Sequence, residues 1–357
     1  MEFNLTQRQQ NILLAIVLDY IATAEPVGSR TISKKYDLGL SPATIRNDMA
    51  ELEDLGLLTQ PHSSSGRIPS DLGYRNFVDY LMEKPTLSNS DKELMKNIRN
   101  NNTSSLEFMI DQSARVLSAL SNTVALIQVP ESNKEFIKHF QLLPINENTF
   151  VTIVVTNTGK VHNFIVKTDK TVNEGFFSNI TGYLTEQLLG TPISNLQKKL
   201  NDIITGNQEY DNILRSIYNS IKNNLSYEKN KIYVSGTSNL LKEPEFNENQ
   251  KAHSLMNFFE IGEKQNELSN VFLAIGSTLI DKSDPIVLIG KEIKISQLEN
   301  CSLIIGSYNI GEDLSGSIGL LGPTRMQYGK SLATLEEMIK NLSNLLTNIY
   351  DVSNNFE

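Results

Sequence analysis

The segment Ser41-Pro42-Ala43-Thr44-Ile45-Arg46-Asn47-Asp48-Met49-Ala50-Glu51-Leu52, and then His62-Ser63-Ser64-Ser65-Gly66-Arg67-Ile68-Pro69, decides how the first part of this chain folds. Ser41 before Pro42 is a strong helix start. A serine oxygen accepts from the open amides of the first turn, and a proline at the first helical position gives up no donor that is needed. At about 100° per residue, Ile45, Met49 and Leu52 share one side of this helix. Ala43, Asn47 and Ala50 share the opposite side, flanked by Thr44 and Arg46. One face is made for burial and the other is small and polar. Leu57-Leu58 turns the chain from helix into strand, and Gly66 permits a tight bend in the segment that follows.

Upstream, Ile12, Leu13, Ile16, Val17, Tyr20 and Ile21 recur at helical spacing over about residues 6–22. Ser29 opens a second short helix with Ile32 and Tyr36 inward, and Gly39 supplies the turn before Ser41. Two short helices joined by a glycine turn and followed by a hairpin form the winged variant of the helix-turn-helix, whose second helix enters a DNA groove. The alanines let that helix sit deep in the major groove, where Asn47 suits adenine and Arg46 suits guanine or phosphate. Lys34 and Lys35 would lie near the phosphate backbone and set the register. In the wing, His62, Ser63, Ser65, Gly66 and Arg67 suit phosphate or minor-groove contact. For His62 the alternative is a turn residue beside Pro61, and for the two lysines solvated charge. Charge balance does not decide the matter, because five cations and five anions lie between Val27 and Arg67. Position does: four of those acids lie at or beyond Asp48, in the part of the helix expected to point away from the groove.

The order and spacing of several motifs carry a resemblance. Glu25-Pro26-Val27-Gly28-Ser29-Arg30-Thr31-Ile32, Ala43-Thr44-Ile45-Arg46-Asn47, Leu52-Glu53, Pro61-His62, Ser65-Gly66-Arg67-Ile68-Pro69 and Gly73-Tyr74-Arg75 run through the N-terminal part. Gly236-Thr237, Asn239-Leu240-Leu241, Pro244-Glu245-Phe246 and Gly322-Pro323-Thr324-Arg325-Met326 follow later. Together they resemble HrcA, the heat-inducible repressor family of bacterial chaperone operons. That resemblance implies a dimer on double-stranded DNA, at the inverted-repeat operator CIRCE upstream of chaperonin and DnaK operons, with activity linked to the chaperonin GroEL. It adds Ser29 and Arg30 to the DNA-binding set. Pro42, Ser65 and Ser70 depart from the family's more usual Ser, Ala and Thr.

The chain has 357 residues, 39% of them hydrophobic and 20% charged, which predicts two or three globular domains. A net charge of −9 argues against a general nucleic-acid coat and for a localised DNA-binding patch. The single cysteine, Cys301, allows no internal disulfide or thiolate cluster and fits a reducing cytoplasm, where it is expected in the core. Four dispersed histidines show no ligand spacing, so no metal and no cofactor is expected. No signal peptide or membrane span is indicated, and the protein is expected to be cytoplasmic.

Beyond the wing, a helix starts at Ser70-Asp71 and stops before Pro85, and residues 84–104, rich in Asn, Ser and Lys, read as a linker region partly continued by helix. Leu106 to Leu120 forms an amphipathic helix. Strands are expected at 124–129, 136–143, 150–155, 161–166, 286–289, 303–308 and 318–321, with Asn157-Thr158-Gly159 as a hairpin loop and helices from about 171 to 221. The last helix, from Ser331 to about Tyr350, has a broad apolar stripe for core packing, with a dimer contact as the alternative. Strands on both sides of a helical block predict one α+β domain with an insertion. The expected class is therefore multidomain α+β. Residues 1–83 form a winged helix-turn-helix. Residues 105–170 and 241–357 form an antiparallel-sheet domain, GAF-like by the resemblance, and residues 171–240 form an inserted, mostly helical domain, which the resemblance implies is for dimerisation.

Two other classes stand beside the repressor reading: a ligand-sensing regulator whose GAF-like domain binds a metabolite, and an enzyme with an appended DNA module. The series Gly316, Gly319, Gly322 does not stand between a strand and a helix start, so it reads as turn and packing glycines. Arg325 reads either as an anion ligand or as a buried partner of a carboxylate. No nucleophile–base set is suggested, and no enzymatic activity is expected.

Overall fold

A computed structural model describes residues 3–62, 65–96, 98, 106–128, 136–157, 161–168, 174–203, 208–229, 232–247, 249–260, 269–272, 274–275, 284–310 and 314–354. The chain divides into two units, one of residues 1–129 and 232–352, the other of residues 130–231 and 353–357.

The first unit begins with α1 (Gln7–Thr23), α2 (Ser29–Lys35) and α3 (Pro42–Asp54), then the short pair β1 (Leu58–Thr59) and β2 (Ile68–Pro69). Thr6 caps α1 in a reciprocal box with Gln9, and Ser41 caps α3 by accepting from the Thr44 amide. Helix α4 (Asp71–Asn76), capped by Ser70, runs on into a wider turn over Phe77–Leu81 in which the Met82 amide bonds to Phe77 O, five residues back. Next come α5 (Asn89–Lys96) and α6 (Leu106–Ser121).

A five-stranded antiparallel sheet completes this unit. Its strands are β3 (Val124–Gln128), β7 (Ile232–Ser235), β8 (Ile286–Ile289), β9 (Cys301–Ile310) and β10 (Leu314–Pro323), in the spatial order β7-β3-β10-β9-β8. Both faces are covered, which is why Val124-Ala125-Leu126-Ile127 of β3 form an unbroken apolar run. Ala125, Ile127, Ile304 and Leu320 face a core built with Leu117 of α6 and with Leu335 and Met338 of the last helix, α12 (Tyr328–Asn354). Val124, Leu126, Leu303 and Ile305 face a second core with Leu240, Phe246 and Phe258. Those three come from α10 (Thr237–Leu241), the turn after it and α11 (Asn249–Glu260).

The second unit holds β4 (Ile137–Asn146), β5 (Thr149–Thr156) and β6 (Val161–Lys167), a separate three-stranded antiparallel sheet, with α7 (Glu174–Leu188), α8 (Leu196–Ile203) and α9 (Gln208–Lys229). Phe140, Phe150 and Phe164 of the sheet and Ile180, Leu184, Leu200 and Ile217 of the helices are all buried in one core.

The α+β class holds, and the expected boundaries shift. The strands over 137–167 pair only with each other and share their core with the helices over 174–229, so the insertion is itself α+β rather than mostly helical. Residues 232–235, assigned to the insertion, return to the main sheet beside β3. Met95 of α5 is buried in the core that also contains Ile12, Leu52 and Tyr74, so part of the expected linker packs as structure. For the same reason residues 1–83 share a core with the main sheet instead of standing apart. Thr158 and Gly159 of the expected hairpin loop lie outside the described residues. Cys301 is buried, as expected, and burial pushes its thiol up to about 12. No described helix is long and apolar enough to cross a membrane.

Candidate nucleic-acid interface

The sequence places Gly39 between α2 and α3 because the backbone there needs a positive φ of 65°, which a residue with a Cβ rarely adopts. The turn brings α3 across α1 and α2, where Ile45, Met49 and Leu52 are buried. Ala43, Arg46, Asn47 and Ala50 are exposed, so the face assigned to DNA is open. Thr44 is half-buried, and its hydroxyl bonds to Ser41 Oγ at 2.9 Å. Arg30, Lys34 and Arg46 are exposed and form no ion pair among the described residues.

The other assigned residues are more tightly held. Ser29 is buried, which leaves Arg30 as the exposed member of the assigned pair at that turn. Its position three residues before Ile32 on the same helical face was the signal for this. Lys35 pairs with the buried Asp19 at 2.5 Å, and that hydrogen bond raises the lysine above its ordinary value. Of the two neighbouring lysines, Lys34 is thus the unpaired one.

In the wing, His62 is exposed. Ser65 Oγ accepts from the His62 amide at 3.0 Å and donates to His62 O at 2.7 Å, so it shapes the turn. Ser63 lies outside the described residues. A Cβ on Gly66 would stand 2.4 Å from Val27 O, so glycine is required by close approach. Next to it, Arg67 exchanges two backbone hydrogen bonds with Val27, each 2.9 Å, stitching the wing base to the strand-like segment before α2. The Arg67 side chain does not point freely at a phosphate. Its Nε donates to Glu53 Oε2 at 2.8 Å and ties the wing to the reader helix.

Two further acids of α3 are similarly committed. Asp48 is buried and accepts from Arg8 at 2.9 Å, and Glu51 accepts from Gln9 at 2.8 Å. Sequence reading missed Arg8 and Gln9. The available signal was Asp48, which falls within the Ile45–Met49–Leu52 stripe, because a carboxylate in an apolar stripe needs a cation.

Two arginines from the motifs fix this region to the rest of the first unit. Arg75 donates to Val287 O at 2.6 Å and to both oxygens of Glu292. Arg325 donates to Ile21 O at 3.2 Å, to Glu245 at 2.5 Å and to Glu243. Arg325 is therefore a carboxylate partner, not an open anion ligand. Gly316 and Gly319 pack against the Tyr308 and Phe272 rings inside β10, which accounts for the glycine series.

This arrangement coincides with a known one. Residues 4–78 match the model described as "Winged helix-turn-helix transcription repressor, HrcA DNA-binding", and residues 107–332 match "HrcA protein C terminal domain". Among curated relatives, the heat-inducible transcription repressor HrcA of Carboxydothermus hydrogenoformans is 38% identical over 344 residues, covering 96% of this chain and 98% of that protein. That of Brevibacillus brevis is 37% identical over 352 residues, covering 97% and 99%. A solved structure titled only as a hypothetical protein at 2.2 Å resolution is similar in fold, with a TM-score of 0.61, 25% identity, and coverage of 97% of this chain and 100% of that one. With both family models matched in sequence order and relatives alike from end to end, the chain belongs to the HrcA family of heat-inducible transcription repressors.

Proposed function

We propose that the protein represses chaperone operons in the cytoplasm by binding the CIRCE inverted repeat as a homodimer, with GroEL governing the supply of the active form. The observation that carries the DNA-reading part is the open strip Ala43, Arg46, Asn47 and Ala50 on a helix whose other side is buried. Small residues allow close approach to base edges, and Asn47 and Arg46 supply the donors and acceptors that distinguish them. Ser29, Ser65, Gly66 and Arg67 take the supporting role of shaping the surface that Arg30, Lys34 and His62 present. A two-fold protein matches a two-fold operator, each protomer entering one half-site. The second unit supports dimerisation by leaving Leu143, Ile145, Val161 and Ile165 exposed on β4 and β6, apolar area that a partner would cover.

Chaperonin dependence draws support from topology. Strand β3 pairs with β7 and β10, and α1 and α4 are held by Arg325 and Glu292, so the unit closes only after most of the chain is made. Contacts at such sequence separation form slowly and leave apolar surface open meanwhile.

Footprinting on a duplex carrying the inverted repeat tests the reading. Two protected half-sites related by symmetry are expected, and protection indifferent to the repeat would refute it. With three unpaired cations per protomer, a dimer neutralises about six phosphates, so log K should fall with log salt at a slope near −5. Purified chaperonin should raise the operator-competent fraction, and the absence of any effect across a temperature series would remove it from the account.

A further inference from the structure

The open strip of α3 is gripped along both edges. At about 100° per residue, Glu51 falls on one edge of the strip formed by Ala43, Arg46, Asn47 and Ala50, and Glu53 on the other, with Asp48 behind Glu51. Each acid has a partner from a different part of the winged-helix fold: Arg8 and Gln9 in the first turn of α1, and Arg67 at the wing base. The other oxygen of Asp48 is buried with no hydrogen bond among the described residues, so Arg8 is what holds that charge within the fold. In turn, the hydrogen bond that Arg8 donates to Asp48 raises its guanidinium above its ordinary value.

We propose that these contacts form a girdle that fixes the roll of the reader helix, and that Arg8 is a positioning residue for base discrimination, acting through Asp48 rather than on DNA. The proposal rests on the DNA-reading function above. The apolar stripe alone does not fix roll, because burial is non-directional and Ile45, Met49 and Leu52 remain buried through a modest rotation. Hydrogen bonds to bases are less forgiving. A roll of about 20° moves a side-chain tip at a radius of about 5 Å by about 2 Å, enough to break one. Three directional contacts on two edges oppose that motion in both senses.

A double-mutant cycle on full-length protein tests this, with Arg8→Met, Asp48→Asn and the pair assayed on an inverted-repeat duplex and on a scrambled duplex of equal length across a salt series. Arg8→Met should lower the operator-to-scrambled affinity ratio about tenfold, leave scrambled binding and its salt slope unchanged, and add little in the Asp48→Asn background. Equal weakening on both duplexes, with the salt slope reduced by about one, would make Arg8 a phosphate contact and overturn the proposal. An unchanged ratio would also overturn it. Should Arg8→Met fail to fold, Arg8→Lys, which keeps the charge but not the reach and direction of the Arg8–Asp48 hydrogen bond, should lower the ratio while Gln9→Ala lowers it less. Wild-type protein that fails to discriminate between the duplexes would overturn the function itself, a distinct result.

Discussion

Two pairs of arginines in the first unit behave in opposite ways. Arg30 and Arg46 stand at the surface without ion-pair partners among the described residues, whereas Arg75 and Arg325 have their donors taken up by Glu292, Glu243, Glu245 and backbone carbonyls. The guanidinium is the same, and the surroundings decide whether it holds the fold together or waits for a ligand. An open cation lowers the free energy of a complex with phosphate or base. A paired one ties elements together: Arg75 joins α4 to β8 and the turn after it, and Arg325 joins α1 to the turn after α10.

The contrast can be broken from either side, and the largest effect should come from the paired set. Arg325→Met leaves two partly buried carboxylates facing each other and should cost about 3 kcal/mol of stability, read as a lower denaturant midpoint. A change under about 0.5 kcal/mol would mean the cluster is solvated. Arg46→Ala should do the reverse, weakening operator binding by about 1–3 kcal/mol and relaxing base preference while leaving unfolding unchanged. If operator retention on a gel is unaltered, the assigned face is wrong.

The buried side also titrates. Folding raises the Cys301 thiol to about 12, so the unfolded chain releases that proton first. The associated stability is present below the ordinary thiol pKa and is lost as pH rises toward 12, by at most about 1.4 kcal/mol per pH unit. Cys301→Ala should flatten that part of the alkaline unfolding curve, and an unchanged slope would assign it to the buried phenols Tyr308 and Tyr328, which are also raised. The smallest effect separates two neighbours. Lys34→Ala should weaken binding to every duplex alike and reduce the salt slope by about one per protomer, whereas Lys35→Ala should lower the melting temperature by stranding Asp19. Equal behaviour of the two variants would remove the distinction drawn from the Asp19 contact.

What was legible in the sequence was local. The caps at Ser41 and Ser70, the periodicity of α1 and α3, and the β-branched and aromatic runs of β5 and β6 each depend on residues within a turn or a strand of one another. What was not legible depends on distant partners. The four residues of β7 become a strand because β3, more than a hundred residues earlier, offers an open edge. The apolar runs over 137–167 do not announce which sheet they join, and only their shared core with α7–α9 settles it. Arg67 reads as a free wing cation until the fold brings Glu53 beside it. The exposure of Ala43, Arg46, Asn47 and Ala50 follows from helical periodicity alone, which is why sequence and structure agree on it.

The most direct test of that face is to place a cleaving reagent on it. Ala50 is exposed in the strip, and Cys301 is buried, so Ala50→Cys offers an accessible thiol for a tethered copper–phenanthroline group. Bound to the inverted repeat, the labelled protein should cut at two symmetry-related positions, one in the major groove of each half-site. Cuts absent or scattered without regard to the repeat, under conditions where the labelled protein still binds, would contradict the account.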